Sequence, residues 1–314
     1  MLKSAPPSRK IRSHNNYIAI SKAIGIISVV IWHSRPPKEI GIILMFYAVP
    51  LFFFTSGYFY KPSHNKGELM TTYLKRFKGL YLPFLKWSLV FLLFHNIFFH
   101  LNIYNGVYGF NGCVSELYSW SDFVKKGIHV ILKVGDVEEL LGAFWFIRAL
   151  LFSSLMVATV QFILGRYIRF NRYFVGLSLL ILSLISRYYN LRLPYIGSLY
   201  ILFFSSFFYV VGYCYNKIES DRCYSDIALI ISATLTATGL IYFDHVVGVL
   251  ENGFKDVLPY SIFAISGTLM VLNISKRIEL LKVKNLFYYV GNNTMIILAI
   301  HLLTFKLISL IKIT

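Results

Sequence analysis

The sequence has few charged residues and few cysteines. Only 14% of its 314 residues are Asp, Glu, Lys or Arg, whereas 57% are hydrophobic, and the mean hydropathy is +0.63. A soluble domain carries about 25% charged residues, so the composition argues against an ordinary soluble enzyme. Cys113, Cys214 and Cys223 form no CxxC pair and no metal-type spacing. We therefore predict neither a disulfide framework nor a metal site.

Acidic residues are scarcer than basic ones, with 14 Asp and Glu against 31 Lys and Arg and a net charge of +17. In a soluble protein this excess would indicate a nucleic-acid partner. Here the basic residues lie in short patches between apolar stretches, which is typical of cytoplasmic loops in membrane proteins. We therefore expect membrane lipids and no nucleic acid as partners.

The first apolar run shows no small-residue cleavage site, so we expect it to remain as a helix rather than to be removed as a signal peptide. The predicted fold is all-α, a polytopic integral membrane protein with nine or ten transmembrane helices. A basic cytoplasmic N-terminus, 1–16, precedes one transmembrane domain, 17–311, whose outer segment 102–142 is interfacial or re-entrant. The nine spans are expected near 17–34, 41–60, 80–101, 143–164, 173–190, 195–215, 227–243, 258–275 and 290–311.

Lys22 and His33 are two ionisable residues in the first predicted helix. They are eleven residues apart, which is three turns plus about 20°, so they share one face about 16 Å apart along the axis. Ionisable side chains inside spans are costly and are candidates for function. Alternatively, Lys22 reaches the headgroups and His33 caps the helix in the interface. The aligned pair favours a functional role.

Three cations, Lys75, Arg76 and Lys78, precede the third predicted helix. The excess of basic residues in cytoplasmic loops explains such a cluster without any ligand. The alternative is an anion site at the helix N-terminus. In the second helix, Pro50 frees backbone groups, and Ser56-Gly57 permits close helix approach.

Three further side chains near outer helix ends are candidate substrate or oxyanion contacts: Ser34, Trp145 and Arg148. Trp145 equally fits an aromatic belt at the membrane surface. Arg148 equally fits an ion pair with one of the acids at 136–139. A lone histidine in a membrane helix is more often a packing residue, so His95 and His100 are assigned no role.

Five segments occur in an order that resembles the membrane-bound acyltransferase-3 family. They are IAISKAIGIISVVIWH (18–33), VPLFFFTSGYF (49–59), KRFKGLYLPF (75–84), AFWFIRALLF (143–152) and GNNTMIILAIHLL (291–303). The resemblance covers nearly the whole chain, and the chain looks like a form without an appended extracytoplasmic domain. It departs from the family at Ala19, where many relatives have an acid, and at Gly79, where the motif often has a second Arg.

The resemblance implies an O-acetyltransferase of the bacterial inner membrane that modifies a surface glycan such as O-antigen or exopolysaccharide. The family's basic-x10-His signature falls on Lys22 and His33, which makes them the expected catalytic residues. Its second basic motif falls on Arg76 and its neighbours Lys75 and Lys78, the expected acyl-CoA contacts. Acetyl-CoA is the expected donor substrate, and no permanently bound cofactor is expected.

The residue chemistry leaves alternatives open. His33 can act as a general base toward a sugar hydroxyl or be acylated itself. A succinyl donor or a non-glycan acceptor remains compatible with the family. Outside the family reading, a transporter or flippase for lipid-linked sugars would also place basic residues around a cavity, and a glycan polymerase would carry larger outer loops.

Overall fold

The computed structural model describes residues 16–106, 114, 116–135, 137–165, 171–194 and 196–311. The predictions for the N-terminal segment up to residue 15, for Cys113 and for Asp136 concern residues outside these ranges. The helices are α1 Asn16–His33, α2 Lys38–Tyr47, α3 Pro50–Tyr58, α4 Lys66–Arg76, α5 Leu82–His100, α6 Trp120–Lys133, α7 Trp145–Leu164, α8 Arg172–Tyr188, α9 Leu199–Ile218, α10 Asp226–Tyr242, α11 Val257–Ile278, α12 Lys284–Asn292 and α13 Thr294–Leu310. A short hairpin, β1 Arg192–Leu193 and β2 Gly197–Ser198, lies between α8 and α9.

The prediction of an all-α polytopic membrane protein is confirmed. Among the described residues, six helical stretches are long and apolar enough to cross a membrane, and a seventh is present if the pair α12 and α13, bent by 82°, counts as one span. Helices α8 and α10, which match two further predicted spans, have 17 residues each. Their rise of about 25 Å is near the lower limit for a crossing.

The segment before the third span is a helix and not a loop, which corrects the sequence prediction. Helix α4 begins after Asn65, whose side chain accepts a 2.9 Å hydrogen bond from the Glu68 amide. It continues through a π-helical turn, Phe77–Tyr81, into α5, giving 35 helical residues in all. The helix N-terminus on which the alternative of an anion site rested is therefore not at this position, because Lys75, Arg76 and Lys78 lie inside a continuous helical stretch.

Helix α6 is amphipathic and lies beside α5. Its N-terminus is fixed by a reciprocal capping pair, in which Ser119 and Asp122 each accept from the other's backbone amide. Fourteen residues rise about 21 Å, which is less than the hydrocarbon thickness of about 30 Å. Its exposed face carries Trp120, Val124 and Ile128. These features favour an interfacial position over a tenth crossing.

Two glycines allow α3 and α9 to cross with their backbones in contact. A Cβ atom at Gly57 would lie 1.7 Å from the Tyr209 carbonyl oxygen, and one at Gly212 would lie 1.9 Å from the Phe54 carbonyl oxygen. Small residues permit this approach between helices in a membrane, where dispersion contacts drive packing. The close approach expected from Ser56-Gly57 is present. The break between α2 and α3 falls just before Pro50, as the freed backbone groups require.

At the end of the bundle where α1 begins, one carboxylate joins three helical segments. The hydroxyl of Tyr17 donates to Glu219 over 2.7 Å, and those of Tyr58 and Tyr224 also donate to Glu219. The Lys276 ammonium lies 4.9 Å from the centre of the Tyr17 ring. This cluster ties the start of α1 to the ends of α3 and α9.

We predict that Gly57→Ala lowers the melting temperature of the detergent-solubilised protein. The added methyl group meets backbone and not a movable side chain, so α3 and α9 must separate, at a cost of roughly 1–3 kcal/mol or more. Gly127→Ala is the matched control, because a Cβ there has only one neighbour, at 4.0 Å. A melting curve measured by fluorescence-detected size exclusion tests this. Equal melting temperatures for the two variants would contradict the packing described for this crossing.

Candidate functional site

One cavity of about 420 Å³ lies between α1, α3, the π-helical turn, α7 and α13. Its volume is within the range of small-molecule sites, and its wall is mainly apolar with a few polar groups, as such sites usually are. The polar and aromatic side chains of the wall include Lys22, Trp32, His33, Thr55, Ser56, Arg76, Trp145, Glu251 and Thr294.

Helix α1 contributes a continuous stripe to this wall. Lys22, Ile26, Val29 and His33 all line the cavity, at steps of four, three and four residues, which keep side chains on one helix face. The shared face predicted from the eleven-residue spacing is therefore present. The cavity has a Lys22 end, near the Glu219 cluster, and a His33 end.

Arg76 is the cation of the second basic motif that reaches the cavity. Its guanidinium donates to Ser56 Oγ over 2.9 Å and to the Tyr209 hydroxyl over 2.8 Å. The next residues in the chain that line the cavity are Gly79 and Leu80, in the π-helical turn that follows α4. Lys75 and Lys78 are exposed and lie outside the cavity wall. The structure thus places Arg76 in the same cavity wall as Lys22 and leaves the other two predicted acyl-CoA contacts at the surface.

The His33 end carries aromatic side chains and one carboxylate. Trp32, the neighbour of His33, packs against Gly41 of α2. Met45, one turn further along α2, packs against Gly248 in the segment between α10 and α11. This segment brings Glu251 to the cavity wall, which Trp145 also lines. That segment is held by buried Asn252, whose side-chain oxygen accepts from the Gly248 amide over 3.1 Å. Burial raises the pKa of Glu251. Sequence reasoning assigned Glu251 no role, since nothing local distinguishes it from other acids in loops.

His33 contacts a second histidine. The Nδ1 atom of His33 lies 3.1 Å from Nε2 of His301 on α13, and the ring centres are 4.8 Å apart. His301 is buried, and its Nδ1 lies 2.8 Å from the Leu298 carbonyl oxygen. The sequence offered only a weak signal for this pair, a histidine interrupting the last apolar run.

Two of the three proposed oxyanion contacts lie outside the cavity wall. The Ser34 hydroxyl donates to the Ile31 carbonyl over 2.7 Å, as a serine in the last turn of a helix commonly does. Arg148 is not among the residues of α7 that line the cavity, whereas its neighbours Ile147 and Leu150 are. Its charge acts on His129 of α6, whose pKa is lowered by burial, by Lys133 and by Arg148. Trp145 lines the cavity.

The described acids expected near Arg148 have other partners. Buried Glu138 accepts from the Tyr104 hydroxyl over 2.8 Å and lies 3.0 Å from His95 Nδ1. Glu139 lies 3.4 Å from the Lys306 ammonium. Glu138 and Glu139 shortly precede the lining residues Gly142 and Ala143 in the chain, so these contacts fix the segment that forms this part of the wall. His95 is therefore a packing residue, held by the buried carboxylate.

Among the described residues, no group of three or more His, Cys, Asp or Glu side chains is placed to hold a metal ion. The chemistry available in the cavity is that of an imidazole, two cations, two indoles and a carboxylate. This set can bind an anion at one end and accept a proton at the other.

Comparison with known proteins identifies the family of the chain. The model of the acyltransferase 3 family, described as an acyltransferase domain, matches residues 15–312. Neither a curated protein nor a solved structure gave a match. Since the family model covers nearly the whole chain, the protein belongs to the acyltransferase 3 family. It is a multi-pass membrane acyltransferase, with an acyl donor and an acceptor as its substrates.

We predict that Glu138→Gln destabilises the protein. Tyr104 and His95 both contact the same carboxylate oxygen of Glu138, and the neutral amide of Gln weakens both contacts. Each weakened buried hydrogen bond to a charged group costs about 1–3 kcal/mol. Glu39→Gln, at an exposed position, is the control. Thermal unfolding in detergent should show a lower midpoint for Glu138→Gln alone. An unchanged midpoint would show that this carboxylate does not support the wall.

Proposed function

We propose that the protein transfers an acetyl group from acetyl-CoA to a hydroxyl of a bacterial surface glycan, such as O-antigen or an exopolysaccharide. The observation that supports this best is that Lys22, Arg76 and His33 line one cavity. Arg76 is bonded to Ser56, and Tyr58, two residues further along α3, contacts Tyr17 at the start of α1. Arg76 therefore lies toward the Lys22 end and away from His33. Cations suit the phosphates of the donor, and an imidazole suits the proton transfer that acylation of a hydroxyl requires.

The Lys22 end is the proposed donor entrance. Arg76 is held by Ser56 and Tyr209, and its guanidinium has more N–H donors than these two bonds use. A planar guanidinium can bind phosphate oxygens in pairs, whereas the Lys22 ammonium acts as a point charge. The pantetheine arm then follows the apolar stripe of Ile26 and Val29 toward His33. We propose that Lys75 and Lys78, outside the wall, contribute at most to attraction from a distance.

The proposed chemistry takes place at His33. The acceptor oxygen attacks the thioester carbonyl carbon while His33 takes the hydroxyl proton. The carbon–sulfur bond breaks, and the coenzyme thiolate receives that proton from His33, so that atoms and charge balance. In a variant of the same step, the imidazole is acylated first and then passes the acyl group to the hydroxyl. The Trp145 indole N–H is the proposed donor to the oxyanion.

The His33 end is the proposed acceptor entrance. Carboxylate oxygens accept hydrogen bonds from hydroxyl groups, so Glu251 can hold a sugar. The flat apolar faces of Trp32 and Trp145 can pack against the carbon faces of a sugar ring. This end combines the two contacts that a lipid-linked or polymeric glycan needs.

The proposed location is the bacterial inner membrane with the N-terminus in the cytoplasm. Acetyl-CoA is made in the cytoplasm, so the Lys22 end, at the start of α1, should face that side. The excess of basic residues in the segments predicted to be cytoplasmic supports this orientation. The His33 end then faces the periplasm, where the glycan lies.

We predict that cells expressing the wild-type protein add an acetyl-sized mass to their surface polysaccharide and that His33→Ala removes this gain. Mass and NMR analysis of the polysaccharide is the measurement, with an empty vector and with membrane levels matched. A succinyl-sized gain would show that the donor carries a succinyl group, and the reaction would still be an acyl transfer. The absence of any gain in hosts that make suitable glycans would instead favour transport of lipid-linked sugars.

We predict that substitutions at the two ends of the cavity raise the KM of different substrates. The assay uses purified protein, acetyl-CoA and the glycan that the polysaccharide analysis identifies as the acceptor. Arg76→Ala should raise the KM for acetyl-CoA about tenfold or more, because the loss of charged hydrogen bonds costs about 1.4 kcal/mol of binding free energy. Glu251→Gln should raise the KM for the glycan and leave that for acetyl-CoA unchanged. Release of the coenzyme thiol is the measurement.

Lys78→Ala is the matched control for Arg76→Ala, because both remove a cation from the same helical segment and only Arg76 lines the cavity. Equal effects of the two variants on the KM for acetyl-CoA would show that the donor binds along the exposed surface of α4. It would then not enter the cavity at this end.

A further inference from the structure

The pair His33 and His301 has a defined hydrogen-bond direction. A backbone carbonyl only accepts hydrogen bonds, so the 2.8 Å contact between His301 Nδ1 and the Leu298 carbonyl oxygen places a proton on His301 Nδ1. In neutral His301 the lone pair is then on Nε2. That atom lies 3.1 Å from His33 Nδ1, which must therefore be the donor. Neutral His33 is left with its lone pair on Nε2.

From this chain of contacts we infer that His301 is a positioning residue for His33. It fixes His33 in the tautomer that has Nδ1 protonated, sets the ring plane, and makes Nε2 the atom that receives the hydroxyl proton. This inference deepens the proposed function and rests on it. It also explains why a buried histidine is present on α13 within contact of His33.

The contact also has a consequence during the reaction. When His33 Nε2 takes the proton from the acceptor hydroxyl, the ring becomes positively charged, and its bond from Nδ1–H to the neutral His301 becomes charge-assisted and stronger. The proton then moves from Nε2 to the thiolate of the coenzyme, and the pair returns to its starting state. A third group that orients a catalytic imidazole commonly serves in this way, and here the orienting group is uncharged.

Helix α13 is fixed at the level where this role requires it. Five residues beyond His301, the buried Lys306 ammonium donates to the Asn105 carbonyl over 2.6 Å and lies 3.4 Å from Glu139. The Ser309 hydroxyl donates to the Asn105 side chain over 3.0 Å. These bonds hold α13 against the segments that precede α7. The position of His301 relative to His33 is therefore set by more than the contact between the two rings.

The first test needs no variant of His301 and no acceptor. Protein with ¹⁵N-labelled histidine is placed in lipid nanodiscs at neutral pH, and NMR distinguishes protonated from unprotonated ring nitrogens. The His33 signals are identified by their loss in His33→Ala. We expect His33 with Nδ1 protonated and Nε2 unprotonated. The opposite tautomer in the wild-type protein would overturn the inference.

The second test separates positioning from packing. His301→Gln keeps an acceptor oxygen near the place of Nε2, whereas His301→Leu removes it at similar volume. We expect His301→Leu to give a mixture of His33 tautomers and to lower kcat about 100-fold, the lower end of what a general base contributes, with both KM values unchanged. His301→Gln should retain one tautomer and recover most of kcat.

The outcomes distinguish the inference from the proposed function. Wild-type kcat in His301→Leu, together with loss of activity in His33→Ala, would overturn the role of His301 and leave the acyltransferase reaction at His33 intact. Equal losses in the Leu and Gln variants would indicate packing alone and would also overturn it. If the wild-type protein transfers no acyl group, the proposed function fails, whereas the tautomer of His33 is still decided by NMR.

Discussion

The constraint on which this structure depends is the absence of water within the hydrocarbon region. A polar or ionisable side chain there is stable when it has a partner in the protein or lines a cavity. The described residues show both arrangements. Glu138, Glu139 and Glu219 each have partners, which are an imidazole and a phenol, an ammonium, and three phenols. Lys22, His33 and Arg76 line the cavity. His33 also contacts His301, and Arg76 also donates to Ser56 and Tyr209.

Helix packing and the site are linked through one residue. The Tyr209 backbone is the surface that Gly57 contacts, and the Tyr209 hydroxyl holds Arg76. The closeness of α3 and α9 therefore decides how far the guanidinium reaches into the cavity. Ser56, the neighbour of Gly57, is the second partner of Arg76. A motif that by composition serves only close packing thus also positions a cation of the site.

The sequence was sufficient for features that depend on one element. Long apolar runs predict helices because the bilayer requires them, and the eleven-residue spacing predicts that Lys22 and His33 share a face because helix geometry is fixed. The sequence was insufficient for the second basic motif, for which it predicts that all three cations contact the acyl-CoA donor. Side chains at successive positions of a helix point in different directions, so only Arg76 reaches the wall. Because the sequence analysis treats this segment as a loop, it does not apply the helical periodicity that separates Arg76 from Lys75 and Lys78.

Residues that meet only through tertiary structure could not be predicted. Glu251 lies more than two hundred positions from His33, and His301 lies further still. Neither has a local pattern that separates it from an acid in a loop or a histidine in a packed helix. Ser34 illustrates the converse error, since it is adjacent to His33 in sequence, yet its hydroxyl is bonded to the preceding helical turn.

The distribution of charge in the cavity bears on the proposed direction of transfer. Two cations stand at the Lys22 end and a carboxylate stands at the His33 end, with a mainly apolar wall between them. Because charges interact more strongly where water is excluded, a phosphate-bearing donor is stabilised at the first end and repelled at the second. An uncharged sugar has no such preference for the cations and can bind at the carboxylate. In the proposed reaction the two substrates therefore meet at His33 from opposite ends, and the acyl group crosses the bilayer along the arm of its own donor.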